Sequence, residues 1–316
     1  MPFKYLNPGY AELLDVAGGT TVNDARKSRT GMSCWQPTEN YGIGLAETPA
    51  ELYGKFDVWL HHEGNGNEHD VEIRVCMDGI NGVGIRKYGS TWYVYGYCNG
   101  HAQVSRSGSP ADPAAMKAST GLVLDTVNTV YFRSKPRDDD TAGNLSLWIN
   151  DMQIADYDYA ISFGTSKVIE VVSTSANGLL SSLILSDTGI HKREQVVILP
   201  ISATETTMTA DGSGGYTANA AGQQILQSID TASLVADYGA DSRICGIAVI
   251  GNPAYRTAEG LAYLTALEKK GDTITEYGTK ETAACRTAGV IDSRAISLSL
   301  ADLANCKFGW KAGVGS

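Results

Sequence analysis

The chain has 316 residues, of which 43% are hydrophobic and 19% charged, and a formal net charge of −10. This is the composition of a globular protein, not a disordered one, and its acidity repels phosphate backbones, which excludes nucleic acid as an expected partner. No stretch has the apolar length of a membrane span. The 35 glycines and 16 tyrosines, with almost no helical periodicity, point to an all-β protein of many turns and half-buried strands.

Residues 1–30 lack a clean pattern and read as an N-terminal arm or docking segment, with a basic patch at Arg26, Lys27 and Arg29. The opening MPFKYLNPGYAELLD has one lysine and no continuous apolar core, so it does not read as a secretory signal. The expectation is synthesis in a cytoplasm and, for any outside role, exit by another route, such as inside a particle. Strands are expected at 31–35 and 55–61, where Phe56, Val58 and Leu60 alternate with Asp57 and Trp59 to give one buried face. Further strands are expected at 68–76, 84–88 and 91–98, with Gly89-Ser90 as a hairpin turn. In the last of these Trp92 and Val94 share one face, and Tyr93, Tyr95 and Tyr97 the other. Residues 105–114, with Gly108, Pro110 and Pro113, read as a loop.

From Leu122 the strands resume. Residues 129–134 form one, the polar acidic stretch 136–143 is a loop, and Leu145, Leu147 and Ile149 mark the next. Asn150-Asp151 is a tight turn, 152–157 the return strand, and Leu183 and Leu185 alternate in the last. Such spacing is that of a sandwich. The charged break His191-Lys192-Arg193-Glu194 places a domain boundary near 191–200, giving domains over 31–192 and 200–316. In the second half, QVVILPI, 224–229, 264–270 with 273–277, 295–300 and 306–314 read as strands. Residues 243–250 (RICGIAVI) read as a central one. These suit a second, smaller β-sandwich.

The run VYFRSKPRDDDTAGNLSLWINDMQIADYDYA followed by SSLILSDTGI resembles the C-terminal half of a laminin-G-like, concanavalin-type jelly roll. That fold is mostly a recognition scaffold. GIAVIGNPAYRTAEGL followed by LADLANCKFGWKAG resembles the C-terminal module of tailed-phage virion proteins, in which such a jelly roll precedes the module. The two resemblances cover about residues 30–316. Together they imply a structural virion component (capsid decoration, fibre or tail), made in the host cytoplasm. Its implied partners are other copies of itself in a homo-oligomer, other virion proteins and host-surface glycans.

Three constellations carry candidate chemistry. Glu68, Asp70 and Glu72 share a face on a strand, as in jelly-roll glycosidases of the laminarinase type, whose retaining chemistry needs two carboxylates roughly 5 Å apart. A solvated strand face with Arg74 as partner is the alternative, and the expectation is a protein that is not an enzyme. Asp138, Asp139 and Asp140 offer hard oxygen ligands on an edge loop, as laminin-G-like domains use for Ca²⁺; an ordinary solvated loop has the same composition. Tyr93, Tyr95 and Tyr97 suit stacking on sugar rings or contact with a neighbouring subunit. His61, His62, His69 and His101, with Glu63 and Asp70, match no metal-binding spacing. The six cysteines (34, 76, 98, 245, 285, 306) show no CxxC, and buried free thiols are expected over bridges. No Walker loop, GxSxG, HExxH or dinucleotide fingerprint is present, and the Gly-rich DGSGG lacks a following Lys-Ser/Thr. A secreted lectin is the remaining alternative; it requires an export signal.

Overall fold

A computed structural model describes residues 3–9, 20–22, 34–36, 40–61, 71–77, 81–98, 101–137, 143–159, 163–173, 178–254, 262–282 and 288–314. The chain divides into two compact units, residues 2–197 and 198–316.

The first unit carries β1 (Lys4–Asn7), β2 (Thr20–Val22), β3 (Cys34–Gln36), β4 (Asn40–Gly44), β5 (Leu52–Leu60), β6 (Val71–Met77), β7 (Asn81–Tyr88), β8 (Thr91–Cys98) and β9 (His101–Gly108). After helix α1 (Pro113–Thr120) come β10 (Val127–Lys135), β11 (Gly143–Ile149), β12 (Met152–Tyr159), β13 (Val168–Ser173) and β14 (Gly178–Ser186). One sheet runs β12-β11-β10-β5-β14-β3-β2, with β1 also on β14; the other runs β4-β13-β6-β7-β8-β9. All the pairings are antiparallel. This is an all-β, jelly-roll sandwich.

The core lies between the sheets. Phe56, Val58, Leu60, Val130, Phe132, Leu145, Leu147 and Ile149 face inward from the larger sheet; Ile73, Val75, Val83, Ile85, Trp92, Val94, Ile169 and Val171 do so from the smaller. The expected alternation of β5 is realised in part: Phe56, Val58 and Leu60 are buried and Tyr53, Lys55 and Trp59 are half-buried on the other side, but Asp57 is buried too, accepting from the Thr129 hydroxyl at 2.6 Å. The Asn150-Asp151 turn also forms. Asn150 takes the left-handed conformation (φ 54°), and its side chain accepts from the Thr129 N–H at 3.0 Å and donates to the Gly121 carbonyl at 2.9 Å. Asparagine tolerates that conformation because its short amide bonds the neighbouring backbone.

Two expectations about the first unit are corrected. Residues 4–7, assigned by sequence to an arm, form a buried strand on β14. The alternation of four residues is too short to read, and the partner is about 180 positions away. The expected loop at 105–114 instead holds the end of β9 and the start of α1. Pro113 begins the helix, where its missing N–H costs nothing. Asp112 caps it by accepting from the Ala115 N–H at 3.0 Å, and Gly121 at φ 73° ends it.

The second unit holds β15 (Ile201–Thr206), β16 (Thr209–Ala210), β17 (Tyr216–Thr217), β18 (Gln224–Ile229), α2 (Thr231–Tyr238), β19 (Arg243–Ala254), β20 (Ala262–Lys270), β21 (Thr273–Glu281), β22 (Ala288–Ser299), α3 (Leu300–Leu303) and β23 (Cys306–Val314). A five-stranded sheet, β15-β18-β23-β20-β21, is accompanied by a β19-β22 ribbon and a small β16-β17 pair. Its core gathers Leu234, Ile247, Val249, Ala266, Val290, Leu300, Leu303, Cys306, Phe308 and Trp310. The apolar strand expected to be central, 243–250, pairs only with β22 among the described residues. Ile247 and Val249 are buried in that core, while Cys245 between them and the turn is exposed. The residues expected as strand QVVILPI are irregular up to Pro200, and β15 starts at Ile201. Helix α2 has a sequence signal that alternation alone misses. Asp230 accepts from the N–H groups of Ala232 and Ser233, and Gly239 follows the last turn.

Candidate functional site

The solvent side of the six-stranded sheet is built by register. Glu72 pairs with Arg86, Arg86 with Tyr93, and Tyr93 with Ser107. The next row is Val172, Arg74, Gly84, Tyr95 and Ser105, and the next is Gly42, Glu170, Cys76, Gly82 and Tyr97. Side chains two apart on a strand share a face, so these rows form one surface. On it stand Arg74, Arg86, Glu170 and Tyr93, each half-buried. Between them lie Gly42, Cys76, Gly82 and the Tyr95 ring that covers Gly84. Arg74 and Arg86 are diagonal cross-strand neighbours, a separation of about 7–8 Å between backbones. The Arg86 guanidinium lies 5.6 Å from the Tyr88 ring centroid, and the Cys76 thiol 4.0 Å from a Glu170 carboxylate oxygen.

The three tyrosines expected on this face do not behave alike. Tyr93 is half-buried on it. Tyr95 is 4% exposed, so it is corrected from an open stacking surface to a covered ring. The cause is Gly84: a Cβ there would lie 2.4 Å from Tyr95 Cζ, so the ring lies down across the glycine. The Tyr97 side chain lies outside the described residues. Trp92 is fully buried on the opposite, inner face. Gly84→Ala is therefore expected to lift the Tyr95 ring, at a cost of about 1–3 kcal/mol. Tyrosine fluorescence quenching and urea denaturation would read it; an unchanged quenching constant would contradict the packing.

Glu68, Asp70, His62, Glu63, His69 and the Asp138, Asp139 and Asp140 calcium candidates lie outside the described residues. Glu72 is placed by its backbone, opposite Arg86 on β7 and two positions before Arg74 on β6. Among the described residues no group of three metal-ligating side chains comes together. His61 stacks on Trp59 at 5.3 Å and meets Asp125 through Nδ1 at 3.0 Å. Cys76 and Cys306 are buried free thiols, as expected, whereas Cys245 is free but exposed, because its strand turns that position outward. No helix of the structure is long and apolar enough to cross a membrane among the described residues.

The solvent side of the larger sheet was not foreseen as a site. Arg133 donates to both carboxylate oxygens of Glu51, at 2.9 and 3.0 Å, and Tyr53 donates to Glu51 at 2.5 Å. The Arg133 bond holds the Glu51 carboxyl below its ordinary value, against the opposing effect of burial. The folded pKa is depressed, so this contribution is present above the ordinary glutamate value of roughly 4.3 and is lost as pH falls through the folded value. Acid titration of the melting temperature is expected to show Glu51→Gln below the parent at neutral pH, with the two converging in acid. A constant difference at every pH would contradict the assignment.

No family model matches the chain, and no curated protein does. Solved structures do. Sheep galectin-11 in complex with glycerol aligns at 10% identity and a TM-score of 0.30, over 48% of this chain and 98% of that one. The carbohydrate-binding module CBM66 from Bacillus subtilis aligns at 12% and 0.29, over 53% and 92%. The potassium-bound carbohydrate recognition domain of Emp46p aligns at 12% and 0.34, over 59% and 98%. Ligand chemistry has to come from this chain's own residues.

Proposed function

We propose that the first unit is a glycan-recognition domain and that the protein is not an enzyme. The observation that carries this reading is the outer face of the six-stranded sheet. It sets two guanidiniums, a carboxylate and the Tyr93 ring around Gly82, Cys76 and the buried Tyr95 ring. Sugar hydroxyls need both donors and acceptors, and Arg74, Arg86 and Glu170 provide both. The Tyr93 ring offers an apolar surface to the C–H side of a pyranose. Glu170 offsets part of the charge of the two arginines on this face.

The biological setting in this reading is a virion, with the protein as a decoration, fibre or tail component that attaches to host-surface glycans. Its support is the sequence resemblance of residues 246–261 and 300–313 to the C-terminal module of tailed-phage virion proteins. The second unit then serves assembly with other copies and other virion proteins. A glycan array of the full chain tests the recognition: Arg86→Ala and Tyr93→Ala are expected to weaken the strongest signals about tenfold or more, about 1.4 kcal/mol. A blank array with the parent protein overturns it and leaves an architectural role. Mass spectrometry of purified particles tests the setting, and absence of the chain from particles removes it.

A further inference from the structure

Tyr131 and Trp148 stand opposite each other on β10 and β11, on the solvent side of the larger sheet. Their ring centroids are 5.2 Å apart and their planes tilt by 51°. Both are half-buried. Over them lies Lys192, its Nζ 4.3 Å from the Trp148 ring centroid and 6.0 Å from that of Tyr131.

This lysine is held in place. Lys55 donates to the Lys192 carbonyl at 2.6 Å and also to the Glu194 carbonyl. The Glu194 carboxylate takes the ammonium of Lys4 at 2.5 Å and the His191 N–H at 2.9 Å. Lys4 is itself buried, 5% exposed. The turn after β14 is thus pinned to the sheet through its backbone, and the Lys192 side chain is directed over the rings without being used in the pinning. On the far side of Trp148, Gln153 is next across the ladder. Its amide donates to Asp156 at 3.2 Å, and the other Asp156 oxygen accepts from Asn144 and Ser146, both at 3.1 Å.

Two tilted rings, an ammonium above them and an ordered amide–carboxylate rim beside them make a surface for a flat, hydroxylated ring that bears a negative charge. We propose that this is a second saccharide site, for an acidic sugar such as a uronate. The apolar side of the pyranose rests on Tyr131 and Trp148. Its carboxylate meets Lys192, whose three N–H groups are not consumed by the ring contact. Its hydroxyls reach Gln153 and Asp156. Arg133 turns its Nε–Nη2 edge to Glu51, which neutralises much of its charge. The ring pair supplies affinity for any pyranose, and the lysine supplies the preference for acid. The site stands on the other sheet and does not depend on the Arg74–Arg86 face.

The test uses the full chain with oligogalacturonate and with its methyl ester, which keeps the rings and removes the charge. Calorimetric titration is expected to show binding of the acid about tenfold or more tighter than the ester. Lys192→Glu, an exposed position, is expected to abolish that preference while leaving the melting temperature unchanged. Trp148→Ala is expected to remove binding of both forms. Arg86→Ala is expected to leave both intact, so failure of the first face and failure of this one are separable. The proposal is overturned if the parent does not bind the acid, if it binds the ester equally well, or if Lys192→Glu keeps the acid preference. Loss of acid binding in Arg86→Ala alone also overturns it, because the ligand would then sit on the six-stranded face.

Discussion

Replacing Arg294 by methionine is expected to destabilise the second unit by about 3–5 kcal/mol. Asp292 and Arg294 point inward from β22, opposite Val249 and Ile247. Arg294 Nη1 lies 2.5 Å from Asp292 Oδ2 and Nη2 3.8 Å from Glu268 Oε2, with side chains only 10–16% exposed. The guanidinium carbon sits 3.5 Å from the Tyr277 ring centroid, and the Tyr277 hydroxyl donates to Glu268 at 2.6 Å. Burial, and then the Glu268 carboxylate, push the Tyr277 hydroxyl above its ordinary value. Removing the cation leaves two nearly buried carboxylates facing an apolar core, and the loss comes from their desolvation more than from the broken bond. Urea denaturation measures it. Arg294→Met combined with Asp292→Asn is expected to recover part of the loss, as coupled neighbours do. An unchanged urea midpoint in the single variant would show that this network is not buried in solution.

The second large effect belongs to the first unit. Trp92→Ala is expected to cost about 3–5 kcal/mol, the price range of a large aromatic removed from a packed core. Trp92 is fully buried on the inner face of β8. Trp92→Phe is expected to cost much less. The indole Nε1 has no hydrogen-bond partner among the described residues, so phenylalanine loses volume but also removes a buried donor that gains nothing. Chemical denaturation of both variants decides it: equal losses would show that the indole N–H is satisfied in solution.

Much of the strand pattern was legible because it is local. The bounds expected for β18 and β23, residues 224–229 and 306–314, are those observed; in β23 Cys306, Phe308, Trp310, Ala312 and Val314 alternate with lysines and glycines, which makes its period of two plain. The 264–270 and 273–277 hairpin forms around Gly271 at φ 59°. Where reading failed, the missing information was non-local or belonged to caps. β1 is buried by a partner at the other end of the domain. β19 has an apolar face because it lies on the second unit's core; among the described residues only β22 pairs with it. Helices α1 and α2 are eight residues each, too short for a 3.6-residue period to stand out, and are marked mainly by Asp112 and Asp230 at their starts.

The candidate surfaces divide in the same way. Sequence alone determined that Tyr93 and Tyr95 share a face opposite Trp92, because alternation along one strand is a property of the strand. It also determined the all-β class and showed no Walker loop, GxSxG, HExxH or dinucleotide fingerprint. Only the tertiary structure decided that Tyr95 lies covered across Gly84 while Tyr93 stays at the surface. It alone set Arg74, Arg86 and Glu170 on one face, and Lys192 over Trp148. Glu170 reaches the arginines through the register of β13 on β6, strands far apart in the chain, where a slip of one residue would turn its side chain to the other face; Lys192 reaches Trp148 because Lys55 holds the turn after β14 by its backbone carbonyls.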